Sequence, residues 1–93
     1  MESRPTIRFL TRPGCHLCDE ARAGLQVILE ERGAAGRLPA LVREVDITTD
    51  AALERLNLER IPVLVVGNEE LPLATSVRAM RAFLERTLDG HLA

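Results

Sequence analysis

Thr6-Ile7-Arg8-Phe9-Leu10-Thr11-Arg12-Pro13-Gly14-Cys15-His16-Leu17-Cys18 is the stretch on which the fold turns. Thr6 to Leu10 alternates and holds β formers, which predicts a short strand. Thr11-Arg12-Pro13-Gly14 is turn chemistry. From Cys15 to about Arg32 the apolar residues recur with a helical period. At about 100° per residue, with the wheel centred on Leu25, Cys18, Ala21, Ile28 and Leu29 fall within about 60° of it on one apolar stripe. Gly33 and Gly36 are placed to close that helix.

Further along, Leu41-Val42-Arg43-Glu44-Val45-Asp46-Ile47 reads as a second strand. Thr48-Thr49-Asp50 supplies N-cap candidates for a short helix containing Leu53 and Leu56 and ending at Asn57. Ile61-Pro62-Val63-Leu64-Val65-Val66 is nearly all apolar and reads as a strand buried on both faces. Gly67-Asn68 signals a tight hairpin. A fourth strand follows over Glu69 to Leu73, at an edge because Pro72 lacks an N–H. Ser76 caps a last helix whose apolar positions Val77, Met80, Phe83, Leu84 and Leu88 keep helical spacing. The order β-α-β-α-β-β-α predicts an α/β fold. Its β-α-β start requires a parallel pair with a right-handed crossover, and the late hairpin adds antiparallel strands. We expect one domain over residues 1–93: a four-stranded mixed sheet flanked by helices, with no repeat or linker.

Composition removes several function classes. The chain is 46% hydrophobic and 28% charged, which argues against disorder. Phe9 and Phe83 are its only aromatics, so the core is built from Leu, Val, Ile and Ala, and a base-stacking platform is not expected. The twelve basic residues are all arginine, scattered among fourteen acids for a net charge of −2. Without a basic stripe, no nucleic-acid partner is expected. No apolar run approaches the ~20 residues of a membrane span. Met1-Glu2-Ser3-Arg4-Pro5 leads into no signal-peptide core, so a cytoplasmic location is expected. In a reducing cytosol, disulfides are usually transient and catalytic.

Cys15 and Cys18 stand three apart where a strand gives way to a helix. The thiolate is the reactive form of cysteine, and the partial positive charge and unpaired N–H groups of a helix N-terminus favour it. Arg12 and His16 add positive potential, while Asp19 and Glu20 oppose it. The wheel separates the two thiols. Cys18 lies about 20° from the stripe centre and is expected to be buried; Cys15, about 80° away, is expected at its edge; His16, about 180° away, faces solvent. This suits a division of labour in which Cys15 attacks a substrate disulfide and Cys18 resolves the mixed disulfide. One helical turn brings the sulfurs within bonding range. Two incidental thiols are the bland alternative, against which the strand-to-helix placement argues. Structural zinc wants four ligands, and only His16 is near, pointing away; His91 stands at the far end as a solvated tail residue. A cluster shared between two chains stays open.

On Thr11-Arg12-Pro13-Gly14-Cys15-His16-Leu17-Cys18 after the first strand, and Ile61-Pro62-Val63 before the hairpin, the chain resembles the thioredoxin-fold superfamily. Within it, the small bacterial glutaredoxin-like proteins are the most similar, and the element order matches over nearly the whole chain. The resemblance implies a cis Pro62 against the cysteine pair, and an Ile61 whose N–H and C=O pair with substrate. It implies Cys15 and Cys18 as the catalytic pair, and Arg12, Pro13, Gly14, His16, Leu17, Ile61 and Pro62 as the surface that meets substrate, with no metal and no cofactor. Arg12 matches a basic residue that lies near the glutathione carboxylate in glutaredoxins; a solvated loop arginine is the alternative. His16 is either a stabiliser of the Cys15 thiolate or an exposed side chain with little effect.

Three departures matter. His16-Leu17 stands where glutaredoxins commonly carry Pro-Tyr, Arg60-Ile61-Pro62 replaces Thr-Val-Pro, and Ala74-Thr75-Ser76 replaces the Gly-Gly-acid segment that holds glutathione. These weigh against glutathione, which stays open as a partner, and leave the dithiol chemistry intact. The expected activity is thiol–disulfide exchange by a monomer acting on a disulfide-containing protein or a small thiol. The electron donor is unspecified. A thioredoxin-fold binding module, for protein interaction or metal handling, is the alternative.

Overall fold

The computed structural model describes residues 4–90. Met1 to Ser3, and the tail that includes His91, lie outside the described residues. Strand β1 (Thr6–Thr11) leads through the Arg12-Pro13-Gly14 turn into helix α1 (His16–Ala34). Strand β2 (Leu41–Asp46), a 3₁₀ turn over Ile47–Thr49 and helix α2 (Ala51–Asn57) follow. Strands β3 (Val63–Val66) and β4 (Glu69–Leu71) form the hairpin, and helix α3 (Val77–Leu84) runs into a π-helical turn over Glu85–Asp89.

The sheet order is β2-β1-β3-β4. β1 and β2 are parallel, with Phe9 opposite Glu44; β1/β3 and β3/β4 are antiparallel. The mixed four-stranded sheet is therefore the one expected.

The local start and stop signals work as chemistry predicts. The Asp50 carboxylate accepts from the amides of Ala52 and Leu53 and caps α2; the Ser76 hydroxyl accepts from the Ala79 amide and caps α3. At the end of α1, Gly36 adopts φ +74° and the Arg37 amide reaches back to the Arg32 carbonyl at 3.0 Å, a Schellman closure. Gly33 lies inside the helix rather than at its end.

Two strands are shorter than their apolar runs. β3 begins at Val63, after the cis Ile61–Pro62 bond, because Pro62 has no amide to give the ladder. β4 stops at Leu71 because Pro72 has no amide to continue the pairing.

Alternation divides the core between the two faces of the sheet. Ile7, Phe9 and Leu64 pack against Ala21, Leu25 and Ile28 of α1 and Met80, Phe83 and Leu84 of α3. Leu10, Val63 and Val65 face the other way, onto Ile47, Ile61 and Leu53 of α2. Each side chain so buried contributes about 1.5–3 kcal/mol relative to exposure. Cys18 joins this second cluster, and Cys15 packs against its edge, so the cysteine pair is rooted in the core at one end of the sheet. Among the described residues, no helix is long and apolar enough to cross a membrane.

Candidate redox site

Cys15 is the N-cap residue of α1. Gly14 before it takes φ +72°, a left-handed conformation that glycine enters without a Cβ penalty and that delivers the chain into the helix. Cys15 and Cys18 are joined as a disulfide with Cα atoms 5.2 Å apart. The Cys18 amide donates to the Cys15 Sγ at 3.1 Å. Cys18 is fully buried, whereas Cys15 is half-buried, the asymmetry the wheel predicts.

His16 and Leu17 both point outward. The His16 side chain is 84% exposed, and its Nε2 lies 2.8 Å from the Glu20 carboxylate one turn further along the helix. Leu17 is 48% exposed.

Pro62 is cis and fully buried, and Ile61 shares the buried cluster of Cys18. The segment is held from below by Asn57, the last residue of α2. The Asn57 carbonyl accepts from the amides of Arg60 (2.9 Å) and Ile61 (3.1 Å). Its buried side chain donates to the Leu53 carbonyl and accepts from the Arg60 guanidinium, which also pairs with Glu70 of β4. The Ile61 N–H, expected to pair with substrate, is thus bonded to Asn57, while the Ile61 carbonyl accepts no hydrogen bond among the described residues.

Residues 6–91 match the family described as Glutaredoxin-like domain (DUF836). The chain belongs to the glutaredoxin-like family. Among solved structures, it is similar to the protein XcR50 of X. campestris, at 30% identity over 85% of this chain and 95% of that one, with a TM-score of 0.68. Ne2328 of Nitrosomonas europaea is 28% identical over 77% of this chain and 78% of its own, with a TM-score of 0.57. The germline-specific thioredoxin Deadhead of Drosophila melanogaster, at 14% identity, covers 91% of this chain and 82% of its own with a TM-score of 0.61, a likeness of fold. No curated protein matches the chain.

Beside its cysteine pair, this glutaredoxin-like chain has a polar cavity of about 260 Å³, lined by Arg12, Pro13 and Gly14 of the turn and by Asp19, Arg22 and Glu44. Arg22 reaches across from α1 to Glu44 of β2, with its Nε 2.9 Å from Oε1, and also pairs with Asp19 at 2.8 Å. The Thr11 hydroxyl donates to the same Glu44 at 2.8 Å. Hydrogen bonds from Arg22 hold the Glu44 carboxyl below its ordinary range; burial opposes this, and the bond from Thr11 adds to it. Arg22 is raised in turn, first by Glu44 and then by Asp19. Asp19 and Arg22 are three apart on a helix and could be paired from the sequence. Nothing in the sequence signals Glu44, which arrives from another strand. Among the described residues, no group of three or more His, Cys, Asp or Glu side chains is gathered as metal ligands.

One further feature of the site escaped the sequence. After β4, Leu73 takes φ +51° and is 57% exposed, while the neighbouring Ala74 is buried. The Leu73 amide donates to the Arg60 carbonyl and the Ala74 amide to the Pro62 carbonyl, each at 2.8 Å. Ala74-Thr75-Ser76 thus laces to Pro62 at Ala74 and caps α3 at Ser76.

Proposed function

We propose that this chain is a thiol–disulfide oxidoreductase in which Cys15 is the nucleophile and Cys18 the resolving thiol. The observation that carries the reading is the placement of Cys15 Sγ: it sits at a helix N-terminus, accepts an amide hydrogen, and is the less buried member of a disulfide whose other half is closed off by the core. In the reduced protein the same amide and the helix dipole favour a Cys15 thiolate. That thiolate attacks one sulfur of a substrate disulfide. The substrate S–S bond breaks, a Cys15–substrate disulfide forms, and the other substrate sulfur leaves as a thiolate that takes a proton. Cys18, deprotonated, then attacks Cys15 Sγ and expels the second substrate thiol. Two electrons and two protons pass from the dithiol to the substrate, and Cys15–Cys18 is left oxidised. The reverse sequence oxidises a dithiol substrate.

In this reading the protein works as a monomer in the cytoplasm without a bound cofactor, and Arg12 to Gly14, Leu17 and the Ile61 carbonyl border the incoming disulfide. The test is exchange with a small disulfide by the reduced protein. Cys15→Ser is expected to abolish it. Cys18→Ser is expected to accumulate a mixed disulfide, seen as an added substrate mass that a reductant removes. Exchange that survives Cys15→Ser would sink the assignment.

A further inference from the structure

Leu73 stands where neither core packing nor backbone preference explains a leucine. The β3–β4 register places Leu71 opposite Leu64. Carried on by two residues, it would set Leu73 opposite Pro62 on the face that Leu71 packs against the core. Instead the chain bends after Pro72. Leu73 enters the left-handed region, its carbonyl accepts from the Thr75 amide at 2.8 Å, and Ala74 takes the buried place. A leucine is disfavoured in that backbone region, and its exposed side chain forgoes burial. The surrounding hydrogen bonds nonetheless hold it there, which is the pattern of residues kept for contact with a ligand.

The position is tied to the segment that packs on the cysteine pair. Leu73 is hydrogen-bonded to Arg60, next to Ile61, which packs in the cluster of Cys18. A second outward leucine, Leu17, stands between the cysteines on a different element.

We propose that Leu73 and Leu17 are specificity-determining contacts that select a disulfide carried by a protein segment with an apolar residue beside its cysteine. This rests on the dithiol reading above, and the electron transfer is the one given there. Two observations favour a protein segment over an anionic tripeptide such as glutathione disulfide. The outward side chains of Leu73 and Leu17 offer apolar surface that the carboxylates of such a tripeptide do not match. The Ile61 carbonyl accepts no hydrogen bond among the described residues, and an extended segment would bring it an amide.

The test is single-turnover exchange by the reduced protein, followed as conversion of the protein dithiol to the Cys15–Cys18 disulfide, read by mass after acid quench and alkylation of the remaining protein thiols. Two disulfide-linked peptides that differ only in Leu or Asp beside the cysteine are compared with glutathione disulfide and with hydroxyethyl disulfide, which carries no side chain. The unmodified protein is expected to react about tenfold faster with the Leu peptide than with the Asp peptide. Leu73→Gly suits the left-handed backbone and is expected to bring the two rates within about twofold of each other. Leu73→Asn, whose side chain also tolerates that backbone, gives a second variant with the same expectation, and thermal melts report that each is folded. A preference that survives both variants combined with Leu17→Ser overturns the proposal. So does an unmodified protein that shows no preference or that reacts faster with glutathione disulfide than with the Leu peptide. In each of those cases, exchange with hydroxyethyl disulfide still upholds the dithiol chemistry. Failure with all four probes overturns that chemistry and the proposal together.

Discussion

The amide of Cys18 donates to the Sγ of Cys15 at 3.1 Å, so a sulfur fills the place that a serine or aspartate oxygen takes at an ordinary helix N-cap. On reduction, the same donor and the helix dipole act on a thiolate. Cys15 of the Cys18→Ser protein is therefore expected to titrate at least about one unit below the ~8.5 of a free thiol, read from thiolate absorbance at 240 nm. A midpoint at or above the free-thiol value would remove the electrostatic argument for Cys15 as nucleophile.

His16 is adjacent to Cys15 in sequence, yet its imidazole is engaged by Glu20 at 2.8 Å in open solvent. A side chain so paired and so exposed has little electrostatic influence elsewhere. His16→Leu is expected to move the Cys15 midpoint by less than about 0.3 unit, equivalent to about 0.4 kcal/mol. A rise of a full unit would assign the imidazole to the thiolate.

The Arg22–Glu44 pair makes stability depend on pH in a stated direction. The Glu44 carboxyl is held below its ordinary value of 4.5, so the folded protein takes up this proton less readily than the unfolded chain. The contribution is complete above about pH 5 and is lost as the pH falls below 4.5, through the depressed folded value. Both side chains are more than a third exposed, which limits the effect. Glu44→Gln is expected to cost about 0.5–1 kcal/mol at pH 7 and nothing measurable at pH 2, from urea unfolding at both. An equal cost at both pH values would show that shape, not charge, holds the contact.

Arg32 and Asp89 form a bidentate pair at 2.8 and 3.0 Å, with side chains only 10% and 15% exposed. Asp89→Ala leaves the guanidinium buried without this partner and is expected to cost about 3 kcal/mol. Replacing both, as Arg32→Met with Asp89→Leu, is expected to recover most of the loss. Denaturant midpoints check this; a double variant as unstable as the single one would point to a specific need for the ion pair.

Gly24 lets α1 and α3 approach closely. A Cβ there would lie 2.9 Å from Val77 Cγ2 and 3.1 Å from Met80 Cε. Alanine gains about 1 kcal/mol in helix propensity, but overpacking against a β-branched side chain costs about 1–3 kcal/mol. Gly24→Ala is expected to be destabilising by about 1 kcal/mol, and Val77→Ala in the same chain to reverse the sign. Gly24→Ala alone raising the melting temperature would show that Val77 yields freely.

The residues show which signals were local. The N-cap roles of Asp50 and Ser76, the two-residue hairpin at Gly67-Asn68 and the end of α2 at Asn57 each depend on neighbours within a turn, and each was legible. So was the split between Cys18 inside and His16 outside, since one helix facing one core has one apolar stripe. The cis Pro62 was implied only by resemblance, because composition does not distinguish it from a trans proline opening a strand. Alternation reads Leu73 as strand and turns it inward, whereas the bend after Pro72, pinned by the carbonyls of Arg60 and Pro62, sends Ala74 to the core in its place.

By itself, then, the sequence determined the order of elements, the mixed sheet and the division of Cys15 from Cys18, because period, caps and turn residues act over a few positions. The tertiary structure decided that Glu44 meets Arg22 and Thr11, that Asp89 closes over Arg32 and that Leu73 faces solvent. Of these, the Glu44 and Asp89 contacts join residues 22 to 57 positions apart, and the Leu73 placement hangs on the Arg60 carbonyl, offered from the far side of the β3–β4 hairpin. Each partner's place is set by strand register and by helix packing on a shared core, which no local pattern encodes.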